Sequence, residues 1–541
     1  MAQTYSRRQA LRTFGVLGAA AGLGGFGIAC GDDRESGDDA ATPVPVLPSL
    51  APTRSSRSGR LRLGVLRSSE PGAQSLSRLE QLLTYSGLVA VDPRDASVHG
   101  DVATSFEIAE PLEVRFSVRT GIFLHADVDG LAMPLTAELV ARDLQRAMTE
   151  EEGLLSTVIE AVEVPDDTTL LVRLRAPFSL LFELLGAPEA RIRGSTRYSS
   201  FTDPVGSGPF VPAGQDASGN ALVANQRFHD TDYPLIEQIN VLHFADEGDL
   251  DTAFLASQLD VRHHPSALSL KRVLERRGTQ RMERPARTLR GLGLSLLPNK
   301  GGLPTAHLDA FQDERVRRAV SLSVDRELLA SLDGSAVASP VGAAHRADSL
   351  PSSELSTHPL YQHDPAGAAK LLQAAGAESS AFRILTPEQS NLRQLSDLVS
   401  GQLRGAGFDA MVQLEDEETW SKAFFAGDFE ASLFELDGFE TPDVGLRLHT
   451  GGGVDSNFSL WGYSNPVFDA SVNAALSELV PERRASAFRE AQRVLLEDAP
   501  GMFPLVTPTE VASAGSRVTG YAFDAFDFNA GWLAAQWERP T

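Results

Sequence analysis

The chain has 541 residues, 42% of them apolar, and its 72 acidic side chains outnumber 48 basic ones for a formal net charge of −24. That acidity argues against nucleic-acid binding, which needs Lys and Arg to neutralise phosphates, and against attraction to anionic membrane surfaces. A single cysteine leaves no partner for an intramolecular disulfide, so a disulfide framework is excluded.

The first element is an export signal. Arg7 and Arg8 precede an apolar stretch from Phe14 to Ala29 that holds six glycines. The stretch is shorter than the roughly 18–20 residues needed to span a bilayer, so it reads as a cleavable leader. Paired arginines before a weakly apolar, glycine-rich core resemble the twin-arginine signal, which exports proteins already folded. The lone Cys30 follows directly, and Gly27-Ile28-Ala29-Cys30 resembles the lipobox whose cysteine receives a lipid. Residues 31–59 are rich in Asp, Ser, Pro, Ala and Arg, too poor in bulky apolar groups to offset the entropy of ordering. They read as a tether between a membrane anchor and a folded body.

The roughly 480 residues that follow exceed the size at which single cores divide. Leu61, Leu63 and Val65 alternate with Arg62 and Gly64, predicting a strand, and a helical run follows around Leu76 to Leu83. Val114, Phe116 and Val118 alternate with polar neighbours, as do residues from Thr169 to Leu174 after the turn Pro165-Asp166-Asp167. Asp364-Pro365 opens a helix carrying Leu371, Leu372 and Ala375 and stopping at Gly376. A second helix bears Leu392, Leu395, Leu398, Val399 and Leu403, and ends at Gly405 or Gly407. Phe408, Ala410, Val412 and Leu414 then alternate as a strand, completing an α/β unit. The last long helix, Glu482 to Glu497, places Ala485, Phe488, Ala491 and Leu495 on one face.

No arrangement of nucleophile, base and metal ligand typical of an enzyme stands out. Gly451-Gly452-Gly453 lacks the Lys-Ser/Thr of a phosphate loop and reads as a turn. His263 and His264 are adjacent, so in a strand they point to opposite faces and suit one metal poorly. Glu415-Asp416-Glu417-Glu418 reads as a solvated acidic face. The expectation is a protein with no catalytic residue, no metal and no cofactor.

A set of segments, taken in order, resembles the oligopeptide, dipeptide and nickel-binding receptors of ABC transporters (family 5). They run from Asp101 to Glu107, Arg119 to His125, Pro134 to Val140 and Pro165 to Phe178. Pro204 to Phe210, Asn225 to Phe228, Phe311 to Arg326, Asp364 to Gly376 and Arg483 to Pro500 continue the series. Each segment is weak alone; their order and spacing carry the resemblance.

The resemblance implies an α/β periplasmic-binding-protein fold, two lobes hinged about a cleft, with an extra domain inserted in the first lobe. Projected on this chain, 1–30 is the signal with its lipobox and 31–59 the tether. Lobe I is then 60–88, 195–287 and 505–541, the inserted domain 89–194, and lobe II 288–504. A small solute is enclosed by hinge closure and passed to permease subunits, with a peptide favoured over an oligosaccharide or a nickel chelate. In peptide-binding relatives an aspartate pairs with the peptide α-ammonium, and here Asp437 stands at that position with Phe434 three residues before it. The chain departs from the pattern after Asp437, with extra residues before Pro442 and Pro-Asp in place of Asp-Pro. A neutral sugar would instead stack on aromatics, for which Phe434, Phe439, Trp461 and Tyr463 are the candidates. The whole reads as a monomeric, lipid-anchored protein of the periplasm or outer face of the cell. A ligand sensor serving a signalling partner and an exported hydrolase are the alternatives.

Overall fold

The computed structural model describes residues 59–521 apart from 67–77, 92–97, 111, 126–131, 151–153, 188–189, 195–204, 217–218, 231, 265–276, 297–308, 389, 437–440 and 451–460. The signal, with Arg7, Arg8 and Cys30, and nearly all of the tether lie outside the described residues, as do Gly451-Gly452-Gly453.

Two mixed sheets organise the body. The first has seven strands in the order Gln280–Pro285, Thr509–Ala514, Val261–His264, Arg60–Leu66, Gln238–Phe244, Gly219–Ala224, Phe210–Asp216. Arg60–Leu66 lies at its centre, parallel to both neighbours. Leu61 and Leu63 are fully buried, and Gly64 leaves room where a Cβ would meet Leu259 and Leu250. The predicted strand of period two is therefore a central strand covered on both faces.

The second sheet has six strands, ordered Ala336–Val337, Met502–Thr507, Leu289–Leu294, Ala431–Leu436, Ala381–Pro387, Asp409–Glu415. Its last three strands are parallel. The predicted helix–turn–strand unit appears here as Ser390–Gly405 followed by Asp409–Glu415, with Gly407 at φ +109° making the turn. Leu392, Leu395, Val399 and Leu403 are buried as the spacing required, whereas Val412 and Leu414 are only half-buried. Asp409–Glu415 is an edge strand, so its faces are incompletely covered. The helix Pro365–Ala375 forms as its caps predicted: Asp364 accepts from Gly367 N at 2.8 Å, and Gly376 takes φ +64°. Asp416, read as part of an acidic face, caps the helix Glu417–Ala426 by accepting from Thr419 N at 3.0 Å.

The lobes join where the chain crosses twice. Gln280–Pro285 continues into Leu289–Leu294, and Met502–Thr507 returns to Thr509–Ala514, with Ala286 N donating to Pro508 O at 2.7 Å between the crossings. Met502–Thr507 belongs wholly to the second sheet, so the return falls at Pro508 and not between 504 and 505. Thr509 Oγ1 donates to Gly334 O at 2.6 Å, tying the crossing to the second lobe.

Between the first two strands of sheet one, in sequence, lies an antiparallel four-stranded sheet: Ala103–Glu110, Glu113–Val118, Thr169–Leu174, Ile159–Asp166. Val114, Phe116 and Val118 face its core and Arg115 and Ser117 face out, as the alternation dictated. The core of this inserted unit is continuous with that of the second lobe, while the first sheet keeps a core of its own.

Candidate functional site

Open α/β sheets bind ligands beyond the carboxyl ends of their parallel strands. In the second lobe those ends are Pro387, Glu415 and Leu436. Leu436 leads straight into Asp437, and the chain returns as a short helix, Pro442–Arg447. A Cβ on Gly445 would meet Pro340 O at 2.1 Å, so that helix is pressed onto the Pro340-Val341 backbone. Arg290, opposite Glu435 in the neighbouring strand, donates to it and to Asp333, fixing the strand that ends at Leu436.

Asp437 and Phe439 lie outside the described residues. Phe434 and Trp461 are brought together, ring centroids 5.5 Å apart and nearly parallel, inside an aromatic layer completed by Phe424 and Phe429. Both are fully buried, Phe434 against Gly291 and Trp461 against Gly293. Their rings form a packed wall against Gly291 and Gly293 of the strand Leu289–Leu294. Tyr463 sits in a different cluster and donates from its hydroxyl to Asp498 Oδ2 at 2.9 Å.

The sequence reading passed over the polar residues that flank this wall. Thr441, Asp443 and His449 are buried, and among the described residues their side chains have no hydrogen-bond partner. Asp443 stands 2.7 Å from Arg447 Nε, an ion pair one helical turn along but without hydrogen-bond alignment. The His449 ring meets Tyr463 and Phe468 edge-on, and burial pushes its pKa down to about 3, so it is neutral. The only signal in the sequence was the Asp443/Arg447 spacing of four. Burial of His449 has no local signature.

The first lobe carries a second concentration of buried hydroxyls. Gly206 and Gly208 let the turn Val205-Gly206-Ser207-Gly208 lie against Thr84, whose carbonyl oxygen a Cβ at either glycine would approach to 2.2 or 2.6 Å. Gly208 N donates to Thr84 O at 2.9 Å, and Asn225 Nδ2 to Gly208 O at 2.9 Å. The hydroxyls of Thr84, Ser86 and Ser207 are buried and unpartnered among the described residues. Both concentrations offer neutral or acidic hydrogen-bonding groups and no nucleophile–base pair. Among the described residues no group of three or more His, Cys, Asp or Glu is placed to hold a metal, and no helix is long and apolar enough to cross a membrane.

The sequence profile of the bacterial extracellular solute-binding proteins, family 5 (middle region), matches residues 97–457. The glutathione-binding protein GsiB of Pectobacterium atrosepticum is 24% identical over 478 residues, 83% of this chain and 87% of the relative. Among solved structures, HbpA2 from Haemophilus parasuis is similar with a TM-score of 0.75 at 17% identity, over 89% of this chain and all of that one. MppA, a periplasmic murein tripeptide binding protein in its unliganded open form, gives 0.70 at 18% identity, over 91% of this chain and 97% of its own.

Proposed function

The chain belongs to the bacterial extracellular solute-binding proteins of family 5, and we propose that it captures a small peptide between its lobes and hands it to the permease of an ABC importer. The family and the fold are those of binding proteins. The observation that carries the reading is the pair of mixed α/β sheets joined by paired crossings at Ala286 and Pro508, the architecture of a hinge. A short peptide is favoured because relatives at this distance bind glutathione and murein tripeptide.

Asp437 comes directly after the strand Ala431–Leu436 in sequence, and in this reading its carboxylate meets the peptide α-ammonium. Closure strips water from both charges, which costs several kcal/mol unless they pair and hydrogen-bond well. In this reading Phe434 and Trp461 stiffen the sheet that carries Asp437's strand, and Phe439 and Tyr463 are secondary candidates for contact. Before capture, the twin-arginine signal exports the folded chain and Cys30 takes the lipid that holds it at the membrane. The acidic tether then gives the body its reach.

A thermal-shift panel on the full-length chain tests the reading, with glutathione, di- and tripeptides, longer peptides, haem and a nickel–histidine complex. A peptide present at about one hundred times its dissociation constant should stabilise the fold by roughly 2.7 kcal/mol, and Asp437→Asn should remove most of that gain. A shift with haem or the nickel complex alone would overturn the peptide reading and keep the receptor. Peptide stabilisation unchanged in Asp437→Asn would move the ammonium partner elsewhere.

A further inference from the structure

The long helix Pro481–Glu497 was expected to bury an apolar face, and it also buries a charge: Arg484 is only 8% exposed. Its Nη1 donates to Glu183 Oε1 at 2.8 Å and to Ser179 O at 3.1 Å, both in the inserted domain. Its Nε stands 3.7 Å from Asp348 Oδ1 in the second lobe. Ser179 adds two bonds of its own, from N to Leu476 O at 2.7 Å and from Oγ to Ala475 O at 3.1 Å. Those carbonyls belong to the last turn of the helix Pro466–Ser477, whose final C=O groups lack i+4 donors; Ala475 O accepts from Glu478 N at 3.4 Å as well. The inserted domain supplies donors to both.

At its other end the inserted domain is fixed to the first lobe by backbone. Val102 N donates to Gly87 O at 3.1 Å, Ala103 N to Leu88 O at 2.9 Å and Ile192 N to Ser86 O at 2.9 Å. Asp101 Oδ2 accepts from Gly87 N at 2.7 Å and stands 3.6 Å from Arg191 Nη1. One unit is thus held to both lobes, independently of the two crossings at Ala286 and Pro508. The attachment to the first lobe is a run of ladder-like bonds, whereas the attachment to the second combines a shared apolar core with polar contacts centred on Ser179 and Arg484.

We propose that the inserted domain is a strap across the two lobes that sets their resting angle, with Arg484 as its fastening to the second lobe. The strap follows from the two-lobed fold; its purpose, restraint of closure, rests on the solute-binding reading. Electron spin-echo distances between labels on the lobes test it without any solute. Gln258→Cys in the first lobe and Lys370→Cys in the second, both exposed positions, are combined with Cys30→Ser in the full-length chain. The parent should give one narrow interlobe distance, and Arg484→Ala should at least double its width. Glu183→Gln, a milder change that keeps Arg484, should broaden it less. Distributions that superimpose in folded samples of both variants would overturn the strap, even if melting temperatures fall, because the pair would then serve packing alone. Failure of every peptide to bind would leave this readout untouched, so the two readings fail separately.

Discussion

Asp348 is a buried carboxyl whose pKa is pushed up to about 6, chiefly by burial, with Glu183 adding to the rise and Arg484 and Arg489 opposing it. Between an unfolded value near 4 and this folded value, the native state binds the extra proton. Its contribution to stability is full below pH 4 and lost as pH rises through 6, by roughly 3 kcal/mol at most. Asp348→Asn mimics the protonated form, so its melting temperature should nearly match the parent at pH 4, exceed it increasingly as pH rises through 6, and keep a constant lead from about pH 7 to 8. A constant difference all the way from pH 4 to 8 would show that Asp348 titrates normally. His449 works in the opposite direction: burial lowers its pKa to about 3, so its contribution is present above about pH 6.5 and lost as pH falls. Neither environment is legible from neighbours in sequence. The same holds for Arg326, which lies in a segment that resembles the family. Buried beside Tyr361, it donates to Pro504 O at 2.9 Å and to Leu360 O at 3.2 Å, stitching three distant segments.

Elements whose caps and periodicity agreed formed where expected, because local energetics and burial pointed the same way. Asp364, Pro365 and Gly376 bound their helix where the caps predicted, and Asp364→Ala should cost about 1 kcal/mol in a denaturant melt. The strand Leu289–Leu294 is different. Glycine is a weak strand former, yet the structure needs it here: a Cβ at Gly293 would lie 2.0 Å from Trp461 Cζ3, and one at Gly291 2.4 Å from Phe434 Cζ. Gly293→Ala should therefore destabilise by roughly 1–3 kcal/mol through overpacking, with a lower midpoint in guanidinium unfolding. An unchanged midpoint would mean that the aromatic layer yields freely. This contact also recasts Phe434 and Trp461, picked from sequence as stacking surfaces, as residues whose faces are already occupied.

For the molecule as a whole, the proposed route from cytoplasm to membrane makes separable predictions. Replacing Arg7 and Arg8 by lysines should leave uncleaved precursor inside the cell, whereas Cys30→Ser should allow export and release the protein from the membrane fraction. Membrane retention of Cys30→Ser, read by fractionation, would sink the lipid anchor and leave the export signal standing. The two-lobed architecture sets the remaining expectation. With crossings at Ala286 and Pro508 and a strap through Ser179 and Arg484, motion between the lobes is confined to a narrow set of angles.

The sequence by itself determined what is local or additive: acidity, the paired arginines and single cysteine on which the proposed export route rests, the capped helices, the alternating strands, and the ordered segments that resemble the family. These rest on interactions between residues a few positions apart, or on composition, and so are written in the chain. Only the tertiary structure decided which polar groups are buried together. Asp443 and His449 are buried, His449 against Tyr463 and Phe468, and Arg484 reaches a serine that precedes it by 305 residues. Burial of a charge depends on what packs over it from remote segments, and no periodicity or motif encodes that until the lobes are assembled.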